Sequence, residues 1–127
     1  MGNAAEFIAK QYEVTRQEMD EFAYRSHEKA AEATANGRFK AEIVPVELKS
    51  RKGSTIIDTD EPIRASFSNG SYTMETSVDG LAKLPPAFEK DGQVTAGNAP
   101  GLNDGGAALV LASRTAAEQQ GAAPIAR

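Results

Sequence analysis

The chain has no cysteine and no tryptophan, and His27 is its one histidine. Without a thiol there is no disulfide framework and no thiolate chemistry, although that absence does not by itself name a compartment. No window approaches the roughly 20 consecutive apolar residues that a membrane-crossing helix needs. The start, Met1-Gly2-Asn3-Ala4-Ala5-Glu6, lacks a basic stretch followed by an apolar one, and Glu6 stands where a myristoylation signal needs Ser or Thr. These absences predict a soluble, cytoplasmic chain with no membrane partner. Basic residues are fewer than acidic ones, giving a formal net charge of −4, and they are scattered rather than gathered on one face. That distribution argues against nucleic acid as a partner.

Aromatic residues are sparse, with five Phe and three Tyr, so a core has to be built from Ala, Val, Ile and Leu with help from those rings. At 127 residues the chain is one domain or less. A chain of this size buries about two-thirds of its unfolded surface. The expected core is thin, and marginal stability follows.

The first third predicts two helices. Asn3 can cap a short one reaching Tyr12, with Phe7 and Ile8 facing inward. Thr15 followed by Glu18 forms a capping box for the second. Along it, Met19, Phe22, Ala23, Ser26 and Ala30 recur at helical spacing as an inner face, while Arg16, Glu18, Asp20, Arg25 and Lys29 take other faces. Asn36-Gly37 supplies a left-handed stop. Residues 42–48 then read as extended, with Pro45 confining them to an edge or irregular strand. The turn Arg51-Lys52-Gly53-Ser54 would lead back through Thr55-Ile56-Ile57 as a hairpin.

Residues 58–80 are polar and predict a long surface excursion around Asn69-Gly70. Asp91-Gly92 is a turn, and Val94-Thr95 begins an extended run. The apolar run 107–112 reads as a buried strand. Ser113 or Thr115 can cap a helix ending at Gly121, and Pro124-Ile125-Ala126-Arg127 reads as the first residues of a further strand.

Few residues suggest chemistry on composition alone. His27, among Arg25, Glu28 and Lys29, reads as a solvent-facing helix residue, and a serine triad would lack an orienting carboxylate. Asp58, Asp60 and Glu61 lack the spacing of a calcium loop and read as a solvated turn, so no metal site is expected. Residues 94–108, V-T-A-G-N-A-P-G-L-N-D-G-G-A-A, are more distinctive. Glycines let a backbone approach a ligand closely, and loops at strand ends are where α/β folds place ligands. It is not a nucleotide P-loop, because Ala107 rather than Lys follows Gly106. Taken alone, the loop reads first as a structural turn.

Residues 94–108 resemble the central segment of the thiolase family, worded T-A-G-N-A-S-G-x-N-D-G-A-A in that family. The likeness continues through Lys83-Leu84-Pro85-Pro86-Ala87-Phe88, Gly37-Arg38-Phe39 and Glu42-Ile43-Val44-Pro45-Val46. The resemblance implies an α/β thiolase-like fold of which this chain is part. It would supply helices and a short hairpin of the covering loop region, then strand, helix and strand of the first core half. Residues 1–90 would belong to the coenzyme A-binding loop domain and 91–127 to the N-terminal core domain.

The implied substrate is a coenzyme A thioester, with no covalently bound cofactor. Met1 matches a methionine bordering the pantetheine channel, and Arg64 a basic residue near the adenine end. Phe88, Ala99 and Leu102 match pocket-lining positions, and Gly97 and Gly101 are the loop glycines. Lys49, Arg51 and Lys52, otherwise a hairpin tip, could meet the phosphates. Gly80 and Pro100 stand where serines are usual, each losing a side-chain hydrogen bond of about 1 kcal/mol. The stretch between Arg64 and Leu81 is several residues longer than in the family.

Thiolases work through a nucleophilic cysteine, a histidine that activates it and a second cysteine that moves a proton. The chain has neither cysteine, and His27 is not in the G-H-P motif that carries the family's histidine. No catalytic residue is therefore expected. The resemblance implies an internal segment of an acetyl-CoA C-acetyltransferase that walls the coenzyme A site, is inactive alone and binds acyl-CoA weakly or not at all. Two other readings stay open: a coenzyme A-binding or assembly module completed by another thiolase segment or by self-association, and an unrelated, non-enzymatic soluble α/β domain. A C-x-G or G-H-P motif encoded nearby would separate the first two from the third.

Overall fold

The computed structural model describes residues 1–51 and 53–126. Lys52 of the expected hairpin tip and Arg127 of the expected last strand lie outside the described residues. Two helices open the chain, α1 (Gly2–Gln11) and α2 (Arg16–Ala35). Two antiparallel hairpins follow, β1 (Val46–Ser50) with β2 (Gly53–Ile57), and β3 (Ala65–Ser68) with β4 (Ser71–Met74). Two short helices complete it, α3 (Val78–Ala82) and α4 (Arg114–Gln119). Helices with short hairpins are the partial α/β arrangement that the resemblance implies.

Local signals act as elementary chemistry dictates. The Thr15 hydroxyl accepts the Glu18 N–H at 3.3 Å, and the Glu18 carboxylate accepts the Thr15 N–H at 2.8 Å, closing the capping box. The Thr15 N–H, then its hydroxyl, hold the Glu18 carboxyl below its usual range. At the other end of α2, Gly37 turns left-handed at φ 69°, and the Arg38 N–H returns to the Ala33 carbonyl at 3.0 Å. Asn3 is not the cap of α1. The helix begins two residues earlier than that cap implies, at Gly2, with Met1 in the cap position and no side-chain cap bond.

Both helices are rotated from the faces that apolar spacing predicts. On α1, Phe7 and Ile8 are exposed while Glu6 and Ala9 are buried. On α2, the inner stripe runs through Arg16, Asp20, Ala23, His27, Ala31 and Thr34, whereas Phe22 is 71% exposed and Ser26 is exposed. Small side chains let α2 approach closely, and its buried polar groups find partners, so the charged stripe turns inward. His27 is half-buried rather than solvent-facing.

The region 58–80, expected as an excursion, contains the second hairpin. Asn69 and Gly70 both have positive φ, 50° and 75°, the signature of the tight turn whose twist matches paired strands. Cross-strand pairing places Ala65 opposite Met74 and Phe67 opposite Tyr72 on one face, which turns toward α2. Ser66, Thr73, Ser68 and Ser71 take the outer face.

The apolar core is thin, as composition predicts: Ala9, Ala31, Leu81 and Val94 are buried beside the polar Glu6, Asp20 and Thr95. The run 107–112 is not a buried strand. Leu109, Val110 and Leu111 are 86%, 97% and 92% exposed, because a strand needs a ladder partner and no described strand lies beside them. Val94-Thr95 forms an isolated bridge instead of a strand, and residues 124–126 are not in a strand. Of the expected strand, helix and strand, the helix α4 forms, capped by Ser113. Among the described residues, no helix is long and apolar enough to cross a membrane.

Candidate functional site

The glycine-rich segment is held from two helices by buried polar side chains. From α1, Glu6 accepts the Gln93 N–H and the Val94 N–H through separate oxygens, each at 2.9 Å. Asn98 then closes the loop on itself: its side-chain oxygen accepts the Thr95 N–H at 2.8 Å, and its amide donates to the Gln93 carbonyl at 3.0 Å. The same amide donates to Asp20 Oδ1 at 2.9 Å, so the loop is tied to α2. Thr95 contributes a hydroxyl that accepts from Gly97 and Asn98, and its carbonyl accepts the Ala99 N–H at 3.0 Å.

The Asp20 network reaches a second segment. Arg16 donates from Nε to Asp20 Oδ2 at 2.7 Å and from Nη2 to the Leu81 and Leu84 carbonyls at 2.7 and 3.0 Å. One guanidinium thereby caps the end of α3, adding a second donor to the Leu81 carbonyl, which already accepts the Leu84 N–H at 3.0 Å, and pairing the Leu84 carbonyl just beyond the helix. Beyond α3, Pro86 bridges Thr95 and the Ala87 N–H donates to the Val94 carbonyl at 2.9 Å. The segment carrying Phe88 therefore runs antiparallel to the glycine-rich segment. Gly97 sits at a close approach, where a Cβ would lie 2.5 Å from both Leu81 Cδ2 and Leu84 Cδ1.

Most of the residues singled out from sequence gather around this bridged loop. Phe88 lays its ring directly on the backbone of Gly2, whereas Met1 is 95% exposed. Arg64, at the root of β3, donates from Nη2 to the Ala96 carbonyl at 3.5 Å and from its backbone N–H to His27 Nδ1 at 3.3 Å. Gly97 is buried and Ala99 half-buried in the loop itself. Leu102 is 96% exposed and Gly101 is also exposed, so the structure does not bring these two into the cluster.

Among the described residues, one cavity lies away from this loop and another reaches it at Asn98. One of about 420 Å³ is lined by Thr34, Phe39, Ile43, Pro45 and Asp58, and one of about 510 Å³ by Tyr12, Val14, Met19, Phe22 and Asn98.

The site is a bridged loop with few chemical groups. It offers a small-residue backbone, an aromatic ring and one guanidinium, and among the described residues no group of His, Asp or Glu is placed to hold a metal ion. Burial, and secondarily the charge of Arg64, hold His27 below its ordinary proton affinity, keeping the imidazole neutral. Sequence reasoning missed Glu6, Arg16, Asp20 and Asn98, which hold the loop in place. The available signal was the Arg16 and Asp20 pair one helical turn apart on the stripe that also carries Ala23 and Ala31.

Comparison with known proteins is consistent along the chain. The family model for the thiolase N-terminal domain matches residues 1–115. An acetyl-CoA acetyltransferase of Shinella zoogloeoides is 48% identical over 127 residues, covering 100% of this chain and 30% of that protein. A beta-ketothiolase of Cupriavidus necator is 45% identical over 128 residues, with the same coverage of 100% and 30%. Among solved structures, the Bacillus anthracis acetyl-CoA acetyltransferase superposes with a TM-score of 0.79 at 46% identity, over 98% of this chain and 29% of that one. Human mitochondrial 3-ketoacyl-CoA thiolase gives 0.74 at 37% identity, over 94% and 28%. The chain thus spans about 30% of the length of the curated relatives it matches.

Proposed function

The chain belongs to the thiolase family, within its N-terminal domain, and on that premise we propose that it forms the coenzyme A-binding wall of an acetyl-CoA acetyltransferase. The observation that carries this reading is the bridged loop: Glu6 and Asn98 fix residues 93–99, and Phe88, Ala99 and Arg64 stand around it. Each residue suits one part of the ligand. The ring of Phe88 and the small side chain of Ala99 suit a pantetheine arm; Met1, Leu102 and Gly101, exposed and outside the cluster, are assigned to the same arm by the family likeness alone, and Gly97 lets the loop pack closely on Leu81 and Leu84. The Arg64 guanidinium suits the phosphates at the nucleotide end.

In this reading residues 1–90 cover the site and 91–127 enter the core domain, whose further strands would pair with the exposed run 107–112. Acyl transfer through an enzyme thioester needs a thiol, and this chain has none. The nucleophile therefore comes from other thiolase residues, and the chain by itself is inactive. The compartment in this reading is the cytoplasm. Acetyl-CoA is favoured as the substrate because the Shinella zoogloeoides relative is named for it.

A chimera tests the proposal. The Shinella zoogloeoides relative, with these residues exchanged for its own matching stretch, is expected to fold and retain acyl transfer. Arg64→Ala in that chimera should raise KM for coenzyme A about tenfold, with kcat little changed, as expected for a lost charge-assisted contact made in both ground and transition states. A folded chimera whose KM is indifferent to Arg64 would overturn the assignment of the nucleotide end.

A further inference from the structure

We propose that His27 is a positioning residue: its unprotonated Nδ1 clasps the Arg64 N–H and thereby sets where the guanidinium meets a phosphate of the ligand. The inference rests on the coenzyme A reading above for the identity of that ligand, but the clasp itself rests on geometry. Arg64 is where the chain enters β3, and its backbone is held on both sides. Its N–H donates to His27 Nδ1 at 3.3 Å, and its carbonyl accepts the Glu75 N–H at 2.9 Å, closing the open end of the hairpin. Between these bonds a tight turn, with the Ala65 N–H on the Ile63 carbonyl at 2.8 Å, fixes the direction in which the side chain leaves. The guanidinium then reaches the Ala96 carbonyl at 3.5 Å, on the loop that Asp20 anchors through Asn98. Asp20 and His27 lie about two turns apart on one stripe of α2. The helix therefore fixes the distance between the loop and Arg64.

Chemistry gives the clasp a defined protonation state. An imidazole nitrogen accepts a hydrogen bond only when it carries no proton, so Nδ1 is bare and the ring proton sits on Nε2. A second proton would turn the acceptor into a donor facing the Arg64 N–H, and would set a positive charge beside Arg64. The charged groups carried by the segments packed on this part of α2 are Arg64 and Glu75 at the hairpin root and Asp79 on α3, with Glu28 adjacent on α2 itself. Of these, Arg64 is the one whose charge acts on His27, and burial acts more strongly in the same direction.

The sign follows. The open form takes up a proton near the ordinary value of 6.5, the clasped form at a lower pH. The clasp is therefore complete above that value and is lost as pH falls through the lower one.

The test uses the whole isotopically labelled chain in solution. The Arg64 amide shift is followed by NMR between about pH 5 and 8, with His27→Asn and His27→Ala alongside. Asn places a non-titrating amide oxygen near the position of Nδ1. The expected result is an Arg64 amide that moves with the His27 ring titration in the parent chain and stays flat in His27→Asn. In His27→Ala, Arg64 amide exchange should be about tenfold faster where the parent clasp is formed, the difference closing as the pH falls and the parent loses it, with exchange in the Asn variant near that of the clasped parent throughout. An Arg64 amide blind to the protonation of His27 overturns the clasp.

Adding coenzyme A at both ends of the range separates the two claims. Perturbation of Arg64 and Ala96 that weakens at low pH in the parent, but not in the Asn variant, supports both. A clasp that titrates while coenzyme A leaves Arg64 unmoved overturns the ligand assignment alone.

Discussion

Replacing Asp20 by Ala should lower the stability of the chain by about 3–5 kcal/mol, the usual cost of breaking a buried charged pair from one side. The Asp20 side chain is 1% exposed and that of Arg16 24%, so little water is available to replace the lost carboxylate. Two partners are stranded at once. Arg16 Nε loses its acceptor at 2.7 Å, and the Asn98 amide loses the bond at 2.9 Å that joins loop to helix. Domains of this size have about 5–15 kcal/mol in total, and the apolar core here is thin, so the variant should keep little or no cooperative urea transition by circular dichroism. Asp20→Asn isolates the charge from the shape. Its oxygen can still accept from Arg16, but its amide then faces the Asn98 amide, donor to donor, and the expected loss is smaller. An Asp20→Ala chain as stable as the parent would mean that the network does not hold the loop.

Glu6→Ala is expected to cost about 3 kcal/mol, since it removes two bonds to a charged acceptor, each worth about 1.5–3 kcal/mol, with the removed side chain leaving a small void. The Gln93 and Val94 N–H groups would be left without acceptors, the latter in a buried setting. Gly92 packs against the same carboxylate, with no space for a Cβ, so no neighbouring side chain can move in to replace it. Hydrogen exchange at Gln93 and Val94 reads this locally. Those amides should exchange much faster in Glu6→Ala, while those within α2 follow only the global loss. Glu6→Gln, which keeps one oxygen and turns the other into a donor, should fall between. Unchanged exchange at both amides would show that Glu6 does not organise the loop.

These two residues also mark where the sequence stopped being legible. The capping box of Thr15 and Glu18, the left-handed stop at Gly37 and the hairpin of β1 and β2 are set by neighbours in the chain, and each can be read from a few letters. Glu6 and Asp20 are set by partners roughly eighty residues away. A hydrophobic pattern counts apolar faces, so it turned α1 and α2 toward Phe7, Ile8 and Phe22 and away from the polar groups that the loop satisfies.

The second hairpin lay between these extremes. Asn69-Gly70 is a strong turn signal, and Phe67 and Tyr72 flank it symmetrically, but the intervening serines hid the alternation. The run 107–112 has the composition of a buried strand, yet strand formation depends on a neighbour, and the described strands are already paired as hairpins. Of the candidate site, the glycine-rich motif located the loop and the family likeness supplied Phe88, Ala99 and Arg64. The link from Arg64 to His27 is visible only once the second hairpin is folded onto α2.

Whether these residues form a wall for coenzyme A is read from ligand-induced amide shifts in the labelled chain, titrated with coenzyme A to millimolar concentration. A coenzyme A wall gives weak, saturable perturbation confined to Arg64, Phe88, residues 96–99, Leu102 and the start of α1. Perturbation centred instead on Tyr12, Met19 and Phe22 around the larger cavity, or none in a chain that is demonstrably folded, would contradict it.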